Sequence, residues 1–181
     1  SIAQVADVTI VSLGSVESEY RVLELQPGLI EISVPKSAAQ QAADQSLECE
    51  LDASVADIST INSIYESPDY LQALLQETRQ ADLVIASHPY LYNAIRAVYR
   101  GSVWYEAHNV ELDMKSAVLS ACMDKADAHL ESVKQTERAL CQDADRVLVC
   151  SEEDAARLKE LYGCHEFSLV PNGVSTTKER F

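Results

Sequence analysis

Gln80-Ala81-Asp82-Leu83-Val84-Ile85-Ala86-Ser87 recurs, with one residue inserted, as Asp143-Ala144-Asp145-Arg146-Val147-Leu148-Val149-Cys150-Ser151. In each copy a helical pattern runs out at Ala-Asp, a short apolar run follows, and a serine stands where the next helix opens. Short apolar runs bounded by turn or cap residues read as buried strands. A run with little polar alternation is the pattern of a strand covered on both faces. Two such strand–helix units imply βαβ connections and a parallel sheet with helices against it.

The same reading extends in both directions. Residues 102–107 and 167–170 are further strands, the last stopped by Pro171-Asn172-Gly173. Residues 7–13, closed by Gly14, and 29–34, stopped by Pro35, are β-branched runs, and 20–25 is a third extended segment. Residues 69–80 carry Leu71, Leu74 and Leu75 at helical spacing. Pro89 suits the first turn of a helix running to Tyr99, with Ser87 or His88 as its cap. A long helix is expected over 114–143. Another follows Ser151-Glu152-Glu153-Asp154, which resembles a capping box, and ends at Gly163. Residues 36–62, rich in Ala, Gln and Asp, read as helix and loop.

Composition bounds the function. A chain of 181 residues, 47% hydrophobic, matches about one globular domain. The formal net charge of −15 argues against nucleic acid as a partner. No apolar run approaches the roughly 18 residues of a membrane span, and Ser1-Ile2-Ala3-Gln4 does not start a secretory signal. The five cysteines include no CxxC pair, which predicts a reduced, cytoplasmic setting without a disulfide framework or metal site. GxGxxG, the Walker A loop and GxSxG are all absent, so no cofactor fingerprint and no serine-hydrolase elbow is read.

In an open parallel sheet, ligands bind beyond the carboxyl ends of the strands. That rule selects Ser87 and His88, then His108, Asn109 and Glu111, then Ser151 and Glu152, and finally Asn172. Helix N-termini beside them offer unpaired N–H groups for phosphate or hydroxyl oxygens. Each also has a plainer explanation. Ser151 suits an N-cap, Glu152 and Asp154 offset a helix dipole, and Tyr90, Tyr92 and Tyr99 suit packing.

The order Glu137-Arg138-Ala139-Leu140, Ala144-Asp145-Arg146-Val147-Leu148-Val149-Cys150-Ser151-Glu152, Tyr162-Gly163 and Val170-Pro171-Asn172-Gly173-Val174 resembles the N-terminal domain of retaining glycosyltransferases of family 4. Glu106-Ala107-His108-Asn109 resembles the family's strand that ends in a functional histidine. The resemblance implies one half of a GT-B architecture: a Rossmann-like parallel sheet flanked by helices. It implies sugar transfer from a nucleotide-sugar donor, used as substrate, with no metal. His108 then takes the catalytic position beside the donor sugar. Ser87, His88, Asn109, Glu111, Ser151 and Asn172 are then substrate-binding residues, Asn109 and Glu111 lining the acceptor cleft. Ser87, Ser151 and Asn172 face the partner domain.

The family's first strand and the glycine-rich loop that follows it are not visible in the sequence. Residues 1–181 are therefore expected to form a single acceptor-side domain lacking that strand, with the C-terminal donor-binding domain absent and no activity as an isolated segment. The open sheet edges are expected to invite pairing with a second copy. The acceptor class stays open among sugar, lipid and glycan, as does a membrane-peripheral location for the full-length protein. Two alternatives remain: a non-catalytic Rossmann-like binding module, and half of a nucleotide-sugar epimerase.

Overall fold

The computed structural model describes residues 2–171. Seven strands form two sheets among these residues. The first sheet joins β1 (Val8–Gly14), β2 (Arg21–Gln26) and β3 (Leu29–Pro35) in the order β1-β3-β2. β1 runs parallel to β3, and β2 antiparallel to it. The second sheet is all parallel, in the order β4 (Leu83–Ala86), β5 (Ser102–Ala107), β6 (Arg146–Val149), β7 (Phe167–Leu169). The helices are α1 (Ala38–Leu51), α2 (Ala56–Ser63), α3 (Pro68–Thr78), α4 (Tyr92–Val98), α5 (Glu111–Val118), α6 (Met123–Asp143) and α7 (Glu152–Tyr162).

Both sheets turn one face to a common core. Ile32 and Val34 of β3 join Val103, Tyr105 and Ala107 of β5, Val147 and Val149 of β6, and Leu140 and Leu158 from α6 and α7. Val11 and Leu13 of β1 and Val84 of β4 pack against the same cluster. β5 shows why. Val103, Tyr105 and Ala107 alternate with Ser102, Trp104 and Glu106, so one face is buried and the other half-exposed. A second cluster, including Leu51, Ile58, Tyr90, Leu119, Leu130 and Val133, joins α1, α2, α5 and α6.

Three expectations change in detail. The apolar run over β4 predicts burial on both faces, but Ile85 is exposed. The physical reason is position: β5 is the only strand that β4 pairs with among the described residues. β1 likewise pairs only with β3, so β1 and β4 are edge strands among the described residues, as are β2 and β7. The single helix expected over 114–143 is two helices separated by a 3-10 turn, Ser120–Cys122. The break lets Leu119 leave the helical path and bury completely in the second cluster. Residues 36–62 are two helices tied by buried polar groups. Gln40 Nε2 of α1 donates to Thr60 Oγ1 of α2 at 3.4 Å, and the Ser63 hydroxyl of α2 donates to Asp44 Oδ1 of α1 at 3.3 Å. Among the described residues no helix is long and apolar enough to cross a membrane.

Candidate functional site

Parallel pairing brings the carboxyl ends of β4, β5 and β6 to one edge, with Ala86 beside Tyr105 and Ala107 beside Val149. The residues that follow these strands are therefore neighbours. The Ser87 hydroxyl donates to Glu106 Oε2 at 2.7 Å. His108 Nε2 lies 3.6 Å from the same carboxylate. The rings of His88 and His108 are 5.2 Å apart, tilted by 35°. Both imidazoles are open to solvent, His88 at 52% and His108 at 38% of the side chain. Asn109 is exposed beside them. A small cavity of about 130 Å³ touches the cluster, lined by Glu106, His108, Leu148, Cys150 and Pro171.

Beneath this open layer lies a buried one. Glu111 is 1% exposed. Its Oε1 lies 3.2 Å from His88 Nδ1, and its Oε2 accepts from the Tyr90 hydroxyl at 2.5 Å. Lys115, buried and paired with Asp57, lies 5.6 Å over the Tyr90 ring. Burial pushes the Glu111 carboxyl up. The hydrogen bonds from His88 and Tyr90, with the charges of His88 and Lys115, outweigh it and hold the group below its ordinary range. Burial and the bond to Glu111 push the Tyr90 phenol far up, so it remains a proton donor at neutral pH.

This has a consequence for acid stability. A carboxyl whose folded pKa lies below its unfolded value of about 4.5 stabilises the fold above that pH. The contribution disappears as pH falls through the lowered folded value. Glu111→Gln is expected to cost about 2 kcal/mol at neutral pH, the scale of a charged hydrogen bond. Its gap from the unsubstituted protein should narrow as pH falls below about 4.5. Urea midpoints along a pH series measure both; a gap that widens with acid would contradict the assignment.

The remaining sequence candidates sit as follows. Ser151 is the N-cap of α7: its Oγ accepts from the Asp154 N–H at 3.0 Å and donates to Asp154 Oδ2 at 2.7 Å. Neither Ser87 nor His88 caps the turn at Pro89 with its side chain. Asn172 lies outside the described residues. Glu106, Tyr90 and Lys115 belong to the cluster although no motif pointed to them as site residues. Glu106 was detectable in principle as an outward position at the end of β5, whereas Tyr90 and Lys115 are joined only by tertiary packing. Among the described residues no group of His, Cys, Asp and Glu is placed to hold a metal ion. A larger hollow of about 440 Å³, touching Leu112, Asp113, Lys134 and Arg157, lies away from the strand ends. Its cations are already paired, Arg157 with Asp113 at 2.7 Å and Lys134 with Glu131 at 3.6 Å.

The fold is thus an α/β arrangement with polar side chains gathered at the carboxyl edge of a parallel sheet. A solved structure of sucrose-phosphate synthase from Thermosynechococcus elongatus matches over 95% of this chain and 79% of that one, with a TM-score of 0.58 at 13% identity. That likeness establishes the fold. No curated protein matches the chain. Residues 54–178 match the family model of Glycosyltransferase Family 4. The chain belongs to glycosyltransferase family 4.

Proposed function

We propose that this chain is the acceptor-side domain of a retaining glycosyltransferase that moves a sugar from a nucleotide-sugar donor to a hydroxyl acceptor. The carrying observation is the cluster of Ser87, His88, Glu106 and His108 at the carboxyl ends of β4 and β5, in a chain of this family. In the reaction, the acceptor oxygen bonds to the anomeric carbon. The bond to the nucleoside diphosphate breaks, and that group leaves with the electron pair. The acceptor hydroxyl gives up its proton to an oxygen of the departing diphosphate, so atoms and charge balance.

His108 holds a hydroxyl of the transferred sugar, and Glu106 fixes the imidazole from one side. His88 and Asn109 offer donors to the acceptor. Glu111 serves from below, its two oxygens occupied by His88 and Tyr90. Ser151, at the start of α7, and Asn172 are assigned to substrate binding on the side that faces the partner domain. The donor-binding domain, pairing of the open edges with a second copy, and a cytoplasmic or membrane-peripheral location belong to this same reading of the full-length protein.

The test is nucleotide release by the full-length protein from UDP-, GDP- and ADP-sugars, with and without sugar, lipid and glycan acceptors. Release from one donor, increased by one acceptor class and giving a product of retained anomeric configuration, is the expected result. No release and no donor-induced thermal shift would overturn the reading.

A further inference from the structure

Glu137 lies in the middle of α6 with no exposure to solvent, yet it touches no ligand-facing surface. Its carboxylate accepts four hydrogen bonds. Oε1 accepts from the Glu111 N–H at 2.8 Å and from the Tyr105 hydroxyl at 3.2 Å. Oε2 accepts from the Leu112 N–H at 3.1 Å and from the Tyr162 hydroxyl at 2.7 Å. A buried charge persists only when its lone pairs are satisfied, and here two backbone and two phenolic donors do so.

The placement of these donors is the informative part. Tyr105 stands on β5 just before Glu106 and His108, and Glu111 and Leu112 open α5 just after Asn109 and Val110. One carboxylate therefore grips both ends of the turn that carries His108. The N-cap of α5 is Val110, whose side chain caps nothing. A carboxylate at a helix N-terminus satisfies the open N–H groups and complements the positive end of the dipole. Glu137 does this from a neighbouring helix. It also sets the position of Glu111, whose side chain holds His88.

We infer that Glu137 is a positioning residue: it fixes the 106–110 turn, and through Glu111 the ring of His88, so that the two histidines meet substrate in one geometry. The inference rests on the glycosyltransferase reading of the His88–His108 site. Misplacement of a reacting group by about 1 Å is enough to cost about a hundredfold in rate.

The test is Glu137→Gln in the full-length protein with isotope-labelled histidine. The amide accepts at one atom only, so at least one backbone N–H of α5 loses its partner. The expected result is a shift and broadening of the His88 and His108 ring signals, with His129, eight residues upstream on the same helix, unmoved. Transfer should fall by about tenfold to a hundredfold in kcat per folded molecule, with KM for the donor within about twofold. Unchanged His88 and His108 signals, or a rate loss equal to the unfolded fraction, would overturn the inference. If Glu137→Gln does not fold, Tyr105→Phe and Tyr162→Phe each remove one donor and should shift the same two rings less. No shift in either variant would overturn it equally. The ring signals need no turnover, so a full-length protein inactive on every donor would reject the glycosyltransferase reading while leaving the Glu137 clamp to be judged separately.

Discussion

Replacing His108 by Ala in the full-length protein is expected to lower sugar transfer about a hundredfold, the penalty for losing a group that fixes a reacting sugar. The loss should fall on kcat more than on the donor KM, because a contact that orients the sugar matters most as the anomeric carbon is attacked. Folding should be unaffected. The imidazole is 38% exposed, no buried group depends on it, and its near partner Glu106 stays hydrated when it is removed. His108→Asn keeps a side-chain donor at a shorter reach and should recover part of the rate. Initial rates against donor concentration, with a thermal melt of each variant, measure these outcomes. A transfer rate unchanged by His108→Ala would remove the residue from the reaction.

The repeated strand–helix unit makes the second sheet legible in the sequence. β4 and β6 are the two copies quoted first, and β5, β7 and α7 follow at nearly the expected boundaries. The strands at Val8–Gly14, Arg21–Gln26 and Leu29–Pro35 were equally legible as strands. Their separation into a sheet of their own follows from which edges are paired, and pairing is a tertiary property. The start of α5 shows the same limit. A sequence search for a helix start looks for Ser, Thr, Asp or Asn at the cap, and Val110 offers none. The cap comes from Glu137, 26 residues later.

The open layer of the site, Ser87, His88, His108 and Asn109, was legible because a topological rule names the residues after each strand. The layer beneath was not. Tyr90 stands at a helical position where packing is the ordinary expectation, and Glu137, although it opens the motif at 137–140, carries no sequence sign of what it binds; only the distances to Glu111 and Tyr105 reveal their connections. The resemblance implies Glu111 as a wall of the acceptor cleft; in the structure its side chain is buried, with one oxygen on His88 and the other on Tyr90. Burial separates these roles, and sequence reports burial only through periodicity.

Leu140→Ala is expected to give the opposite phenotype to His108→Ala. Leu140 is fully buried on α6, in the cluster shared by β5, β6 and α7. Truncation removes three carbons from a close-packed interior that relaxes only in part, which costs about 3 kcal/mol. For a domain of this size that lowers the melting temperature by about 9 °C. Leu23→Ala, on an exposed strand position, should change stability by less than about 0.5 kcal/mol. Leu140 stands one helical turn beyond Glu137, but none of the four hydrogen bonds to the Glu137 carboxylate involves it. The 106–110 turn should therefore keep its place, and kcat per folded molecule should stay within about twofold below the melting transition. Urea midpoints and rates on the same samples decide the matter. A full loss of rate in a folded Leu140→Ala protein would mean that core packing, and not the Glu137 carboxylate, holds the histidines in position.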